Sequence, residues 1–157
     1  MKAKYLFYLS LFFLQFCAYQ NNTKETNPNL YNALDSLSLS LSQKLEKYNI
    51  NTLAVMKYTD TDGKNNAIGS YISDEIMLQL FLKETFQIIE RQQIDYIINE
   101  QKLGSSGLLN EDSVIEIGNI LSVDAIILGT ISDINNNIII NTKVVSSGTG
   151  QIIFMDK

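Results

Sequence analysis

Few side chains in this sequence can do acid–base, metal or nucleophilic chemistry, and their spacing argues against catalysis. The 157 residues contain no histidine, which removes the side chain that most often serves as general base or metal ligand near neutral pH. The one cysteine, Cys17, ends an apolar opening segment, so no internal disulfide can form and the body of the chain has no thiol nucleophile. No glycine-rich phosphate loop of the P-loop or dinucleotide type occurs. Asp60-x-Asp62-Gly63 begins like a calcium loop, but its glycine falls at the fourth position where the sixth is needed, and Tyr71 replaces the closing glutamate. Asp74 and Glu75, adjacent on a helix, point to different sides and suit the first turn as partners of its dipole. No carboxylate pair is singled out for glycoside hydrolysis. Glu90 and Arg91 fall at a strand-to-helix junction, where a carboxylate can accept backbone N–H bonds and a guanidinium can hold a neighbouring loop. The expectation is a non-enzymatic protein with no catalytic, cofactor or metal site.

The opening segment supplies the clearest functional signal. Lys2 and Lys4 precede an apolar run from Tyr5 to Leu14, and polar residues take over by Asn21, which is the layout of a secretory signal. The run is well short of the roughly 20 residues a helix needs to cross the hydrocarbon core. Leu14-Gln15-Phe16-Cys17 resembles the lipobox of bacterial lipoproteins, with Phe16 where that motif usually carries a small side chain. The resemblance implies that Cys17 receives a diacylglycerol and becomes the first mature residue. The expected organisation is a signal peptide over 1–16, a polar tether over 17–29 with the only proline, Pro28, and a single domain over 30–157.

That domain must contain regular structure, because 45% of the chain is apolar and 18% charged, outside the range of disordered sequences. Net charge is −5 and no basic run occurs, which sets nucleic acid aside as a partner. Leu34, Leu37, Leu41 and Leu45 share one helical face, predicting a first helix that ends near Tyr48, against a strand reading offered by the period-two serine–leucine alternation from Ser36 to Ser42. Leu53–Tyr58 reads as a buried strand, and Ile72, Ile76 and Leu80 as a second helix. Phe86–Ile89 reads as a short strand, followed by a helix from Arg91 with Ile94, Ile97 and Ile98 inward and Gly104 at its end. After the loop 104–110, Ser113 and Glu116 fit a capping box for another helix. Three β-branched runs, 123–131, 138–145 and 151–155, are separated by Asn135-Asn136-Asn137 and Gly148-Thr149-Gly150, predicting a terminal meander. Gly118 within a helical pattern and Gly129 within a strand pattern mark close packing. The fold class is α/β, a mixed sheet with packed helices in the order α-β-α-β-α-α-β-β-β.

An ordered string of short pieces carries a family resemblance: Leu53-Ala-Val, Asp62-Gly63-Lys64, Ile68-Gly69, Ile89-Glu90-Arg91, Glu100-Gln101-Lys102-Leu103, Ser106-Gly107, Ile117-Gly118, Val123 to Thr130 and Gly148 to Ile152. Over residues 53–153 the chain resembles the periplasmic domain of the CsgG family, named for the curli secretion channel, and of the related FlgO flagellar outer-membrane lipoproteins. The resemblance implies an outer-membrane lipoprotein whose domain lies in the periplasm. Transmembrane hairpins of the CsgG channel need strands of roughly 9 to 11 residues inserted in this domain, and the intervals between the matched pieces are too short to hold them.

The resulting expectation is a lipid-anchored scaffold that binds protein partners or its own copies for a surface structure or secretion system. Family domains form rings, and the last strand, 151–155, has little chain after it to cover an open sheet edge. The alternatives are a subunit of a CsgG-type export channel, which requires spanning strands, and a small hydrolase of envelope polymers, supported only by export and spare carboxylates.

Overall fold

The computed structural model describes residues 28–100, 111–135 and 137–157. The first helix, α1 (Pro28–Lys47), begins inside the segment expected to be tether. A proline at the first helical position costs nothing, since the N–H it lacks would be unpaired there. Leu34, Leu41 and Leu45 are fully buried while Leu39, off the leucine stripe, is exposed.

The chain then makes β1 (Thr52–Val55), the two-residue β2 (Thr59–Asp60), α2 (Ala67–Phe81), β3 (Gln87–Ile88), α3 (Arg91–Glu100), α4 (Glu111–Leu121), β4 (Ala125–Ile134), β5 (Asn137–Ser146) and β6 (Ile152–Asp156). Apart from the short β2, this is the expected order. The sheet runs β3-β1-β4-β5-β6, and β2 pairs with β4 beyond the end of β1. Strands β3, β1 and β4 are parallel; β5 and β6 complete an antiparallel meander. Because β1 is buried on both faces, its sequence is a continuous apolar run and does not alternate. Helices α1 and α2 cover one face over Leu53, Val55, Ala125, Ile127 and Val144. Helices α3 and α4 cover the other over Ala54, Met56, Ile126, Leu128 and Val145.

Two polar devices, one exposed and one buried, hold this arrangement. Asp124, just before β4, accepts from the backbone N–H groups of Asn51 and Thr52, both at 2.8 Å. Its own N–H donates to the carbonyl and hydroxyl oxygens of Thr52, each at 3.0 Å. The starts of β1 and β4 are thereby stitched together. Tyr58, which follows β1, is fully buried, and its hydroxyl lies 2.9 Å from Thr142 Oγ1 on β5. A Cβ at Gly129 would lie 1.9 Å from the Tyr58 ring, and one at Gly118 would lie 2.4 Å from Ser147 Cβ, so both glycines mark close approaches.

Two local expectations are corrected. Helix α2 starts at Ala67 under an Asn66 cap whose side chain accepts from Gly69 N–H, so Asp74 and Glu75 lie mid-helix and not in its first turn. Asp74 pairs instead with Arg91, and Glu75 accepts from Gln79 Nε2. Ser113 lies inside α4, which begins at Glu111, and therefore does not occupy the N-cap. Gly104 and the loop 104–110 lie outside the described residues.

Candidate functional site

The carboxylates singled out in the sequence are used structurally. Asp60 Oδ1 accepts from the N–H groups of Asp62 at 2.9 Å and Lys64 at 2.8 Å, which closes its own loop. At the start of α3 the N–H groups of Gln93 and Ile94 bond to the backbone carbonyl of Glu90, so the expected capping role falls to that carbonyl and not to the carboxylate. Arg91 reaches α2 and not a loop: its Nη2 lies 3.1 Å from Asp74 Oδ1. The guanidinium is only 13% exposed, and its Nε and Nη1 are buried with no partner among the described residues. Burial pulls the Arg91 pKa down while Asp74 and Asp95 oppose the shift. Cys17, the expected lipid site, lies outside the described residues.

Two surfaces remain open. The first is the sheet edge at β6. Among the described residues this strand pairs only with β5, in a register interrupted by a bulge at Val144/Val145. Phe154 faces Val144 and Ile152 faces Val145, which leaves Ile153 as the extra residue of the bulge. Ile152 is 47% exposed and Met155 67%. Alongside runs a groove between α1 and β6, bordered by Ser40, Gln43, Lys44 and Lys47 on the helix and Ile152–Met155 on the strand. The only charged side chains among these are lysines, and Lys44 lies 5.5 Å from the centre of the Tyr48 ring.

The second is a cavity of about 670 Å³ between α3 and the sheet, at the carboxyl ends of β1 and β2. Its apolar walls come from Met56, Ile98, Leu128 and Met155. Lys57 and Asp95, both at its edge, form an ion pair of 2.6 Å. Sequence reasoning missed this cavity, because its walls come from five separate stretches of chain. The register of β4, β5 and β6 that brings them together is set by turns and a bulge.

Residues 39–151 match the family model described as curli production assembly/transport component CsgG. The match begins inside α1 and ends just before β6. Among solved structures, the LpoB C-terminal domain from Salmonella enterica is 18% identical with a TM-score of 0.62, and the match covers 80% of this chain and 94% of that one. The LpoB C-terminal domain from Escherichia coli, also 18% identical, gives a TM-score of 0.54 over 68% of this chain and 78% of that one. At this identity the likeness is one of fold. No curated protein matches the chain. Among the described residues no helix is long and apolar enough to cross a membrane.

Proposed function

The chain belongs to the CsgG family, and from that premise we propose that it is a non-enzymatic envelope lipoprotein, anchored to the outer membrane through Cys17, whose periplasmic domain assembles with protein through the β6 edge. The observation that carries the reading is that edge. On its outer side β6 has hydrogen-bonding groups with no strand beside them among the described residues, flanked by exposed Ile152 and Met155. Such an edge is a template for pairing with another chain. Backbone pairing needs no catalytic group, which agrees with the structural use of Asp60, Asp74 and Glu75. The exported, lipid-bearing N-terminus rests on the signal-like segment and the Leu14–Cys17 motif.

Fractionation and sedimentation test it together. The full chain should pellet with membranes, and Cys17→Ser should move to the soluble fraction; a serine variant that still pellets after a high-salt wash contradicts the anchor. Sedimentation of the soluble Cys17→Ser chain then separates self-assembly from a foreign partner. A concentration-dependent larger species abolished by Ile152→Glu identifies a second copy. A monomer at every concentration identifies a different protein as the occupant. The transport function in the family's description favours a second reading, a subunit of an export channel, which predicts ion conductance when the full chain is added to a planar bilayer.

A further inference from the structure

Residues directly opposite one another in an antiparallel ladder point to the same face. Leu128 pairs with Lys143, and Lys143 with Met155. The row across β4, β5 and β6 on the α3 side is therefore leucine, lysine, methionine. The next row places Thr130 opposite Asn141. All five residues line the cavity beside α3. Lys143 thus puts an ammonium on an interior strand, between two apolar neighbours and on the same face as the buried core beneath α3 and α4. No described residue pairs with it. Of the other lysines lining the cavity, Lys57 is already matched by Asp95, and Lys157 directly follows Asp156, which lines the cavity as well.

Three neutral side-chain amides around the cavity are also uncommitted. The side-chain amides of Asn65, Asn99 and Asn141 line the cavity and have no partner among the described residues. A carboxamide both donates and accepts, which matches the two faces of a peptide group; an inorganic anion would call for donors alone. No aromatic ring lines the cavity among the described residues to stack a sugar or a base, whereas Met56, Ile98 and Leu128 offer an apolar wall. Its volume lies within the range of small-ligand sites, roughly 300–1,000 Å³, and it opens outside the carboxyl ends of parallel strands, where open α/β sheets bind ligands.

We propose that this cavity binds the carboxyl-terminal end of a short peptide, with the carboxylate on the Lys143 ammonium, the amides on Asn99 and Asn141, and a small apolar side chain against Leu128 and Met56. A charge-assisted bond in a partly enclosed site strengthens attraction and sets direction, since the peptide must enter carboxylate first. The site is distinct from the β6 groove; only Met155 borders both.

The test uses the full chain in detergent and two probes, N-acetyl-alanyl-alanine with a free carboxylate and the same compound as its carboxamide, titrated by calorimetry. Saturable binding of the free acid, about tenfold or more tighter than the carboxamide, is expected from one charge-assisted hydrogen bond. Lys143→Met should abolish that preference, Lys143→Arg should retain it, and Ile152→Glu should leave it unchanged. Thermal melts of each variant confirm folding. Equal affinity for acid and carboxamide, no saturable binding of either, or a preference that survives in folded Lys143→Met overturns the proposal. So does displacement of the peptide by equimolar inorganic phosphate, which would make the cavity a general anion site.

Discussion

The Tyr58 hydroxyl lies 2.9 Å from Thr142 Oγ1, and the tyrosine ring reaches it by passing across the space a side chain at Gly129 would fill. Both partners are buried. Burial pushes the Tyr58 phenol well above its ordinary pKa, with the Thr142 hydrogen bond acting against that shift, so the tyrosine stays neutral and serves as a packing element. Gly129→Ala forces a methyl group into the ring, and overpacking of this kind costs about 1–3 kcal/mol. Tyr58→Phe leaves the Thr142 hydroxyl unpaired at a cost of about 1 kcal/mol. Urea melts of both variants should show the glycine substitution as the more damaging.

Asp124 makes the stability of the β1–β4 junction pH-dependent. Partial burial raises its pKa, but the N–H groups of Asn51 and Thr52 and the Thr52 hydroxyl outweigh that effect and hold the carboxyl below the usual range. A carboxyl depressed in the folded state contributes stability above its unfolded pKa of about 3.9 that is lost as pH falls through the folded value. Discounted for the solvent exposure of this side chain, Asp124→Asn should cost no more than about 1 kcal/mol at pH 7, with the difference from the unmodified chain shrinking below about pH 4. Equal destabilisation at neutral and strongly acid pH would contradict the assignment.

Arg91 and Asp74 should respond asymmetrically to mutation. Removing Asp74 leaves a mostly buried guanidinium without its partner, whereas removing Arg91 leaves a carboxylate that is 62% exposed and readily hydrated. Loss of one partner of a buried ion pair is costly, and replacement of the buried charge by a well-packed apolar group is often neutral or stabilising. Discounted for the exposure of Asp74, Asp74→Ala should cost about 1 kcal/mol, and Arg91→Met should be close to neutral. Thermal denaturation of the two variants side by side gives the ordering.

The elements were legible in the sequence wherever a period was strong. The leucine stripe of α1 and the start of the β-branched run of β4 report burial directly, whereas the run of β6 contains no buried residue. Leu53 and Ala54 show the limit: they face opposite cores, which a continuous apolar run signals without saying what covers each face. Helix starts were misplaced because a cap depends on a single local bond; Asn66, which caps α2, lies ahead of its apolar pattern. Asp124 was recognised only as part of a family string, since its partners Asn51 and Thr52 are more than seventy residues away. The meander that carries β6 was readable from its β-branched runs and turn residues, but the bulge at Ile153 was not.

The central claim is that the β6 edge and the groove beside it hold a protein partner, and cross-linking in intact cells tests it most directly. A photoreactive residue at position 43, in place of Gln43, faces this groove; one in place of the 65% exposed Tyr96 on α3 serves as control. Illumination should give one discrete adduct from position 43 and not from position 96, and Ile152→Glu should remove it by placing a charge that pairing would have to desolvate. No adduct from position 43, or one that persists unchanged with Ile152→Glu, would contradict edge-directed assembly.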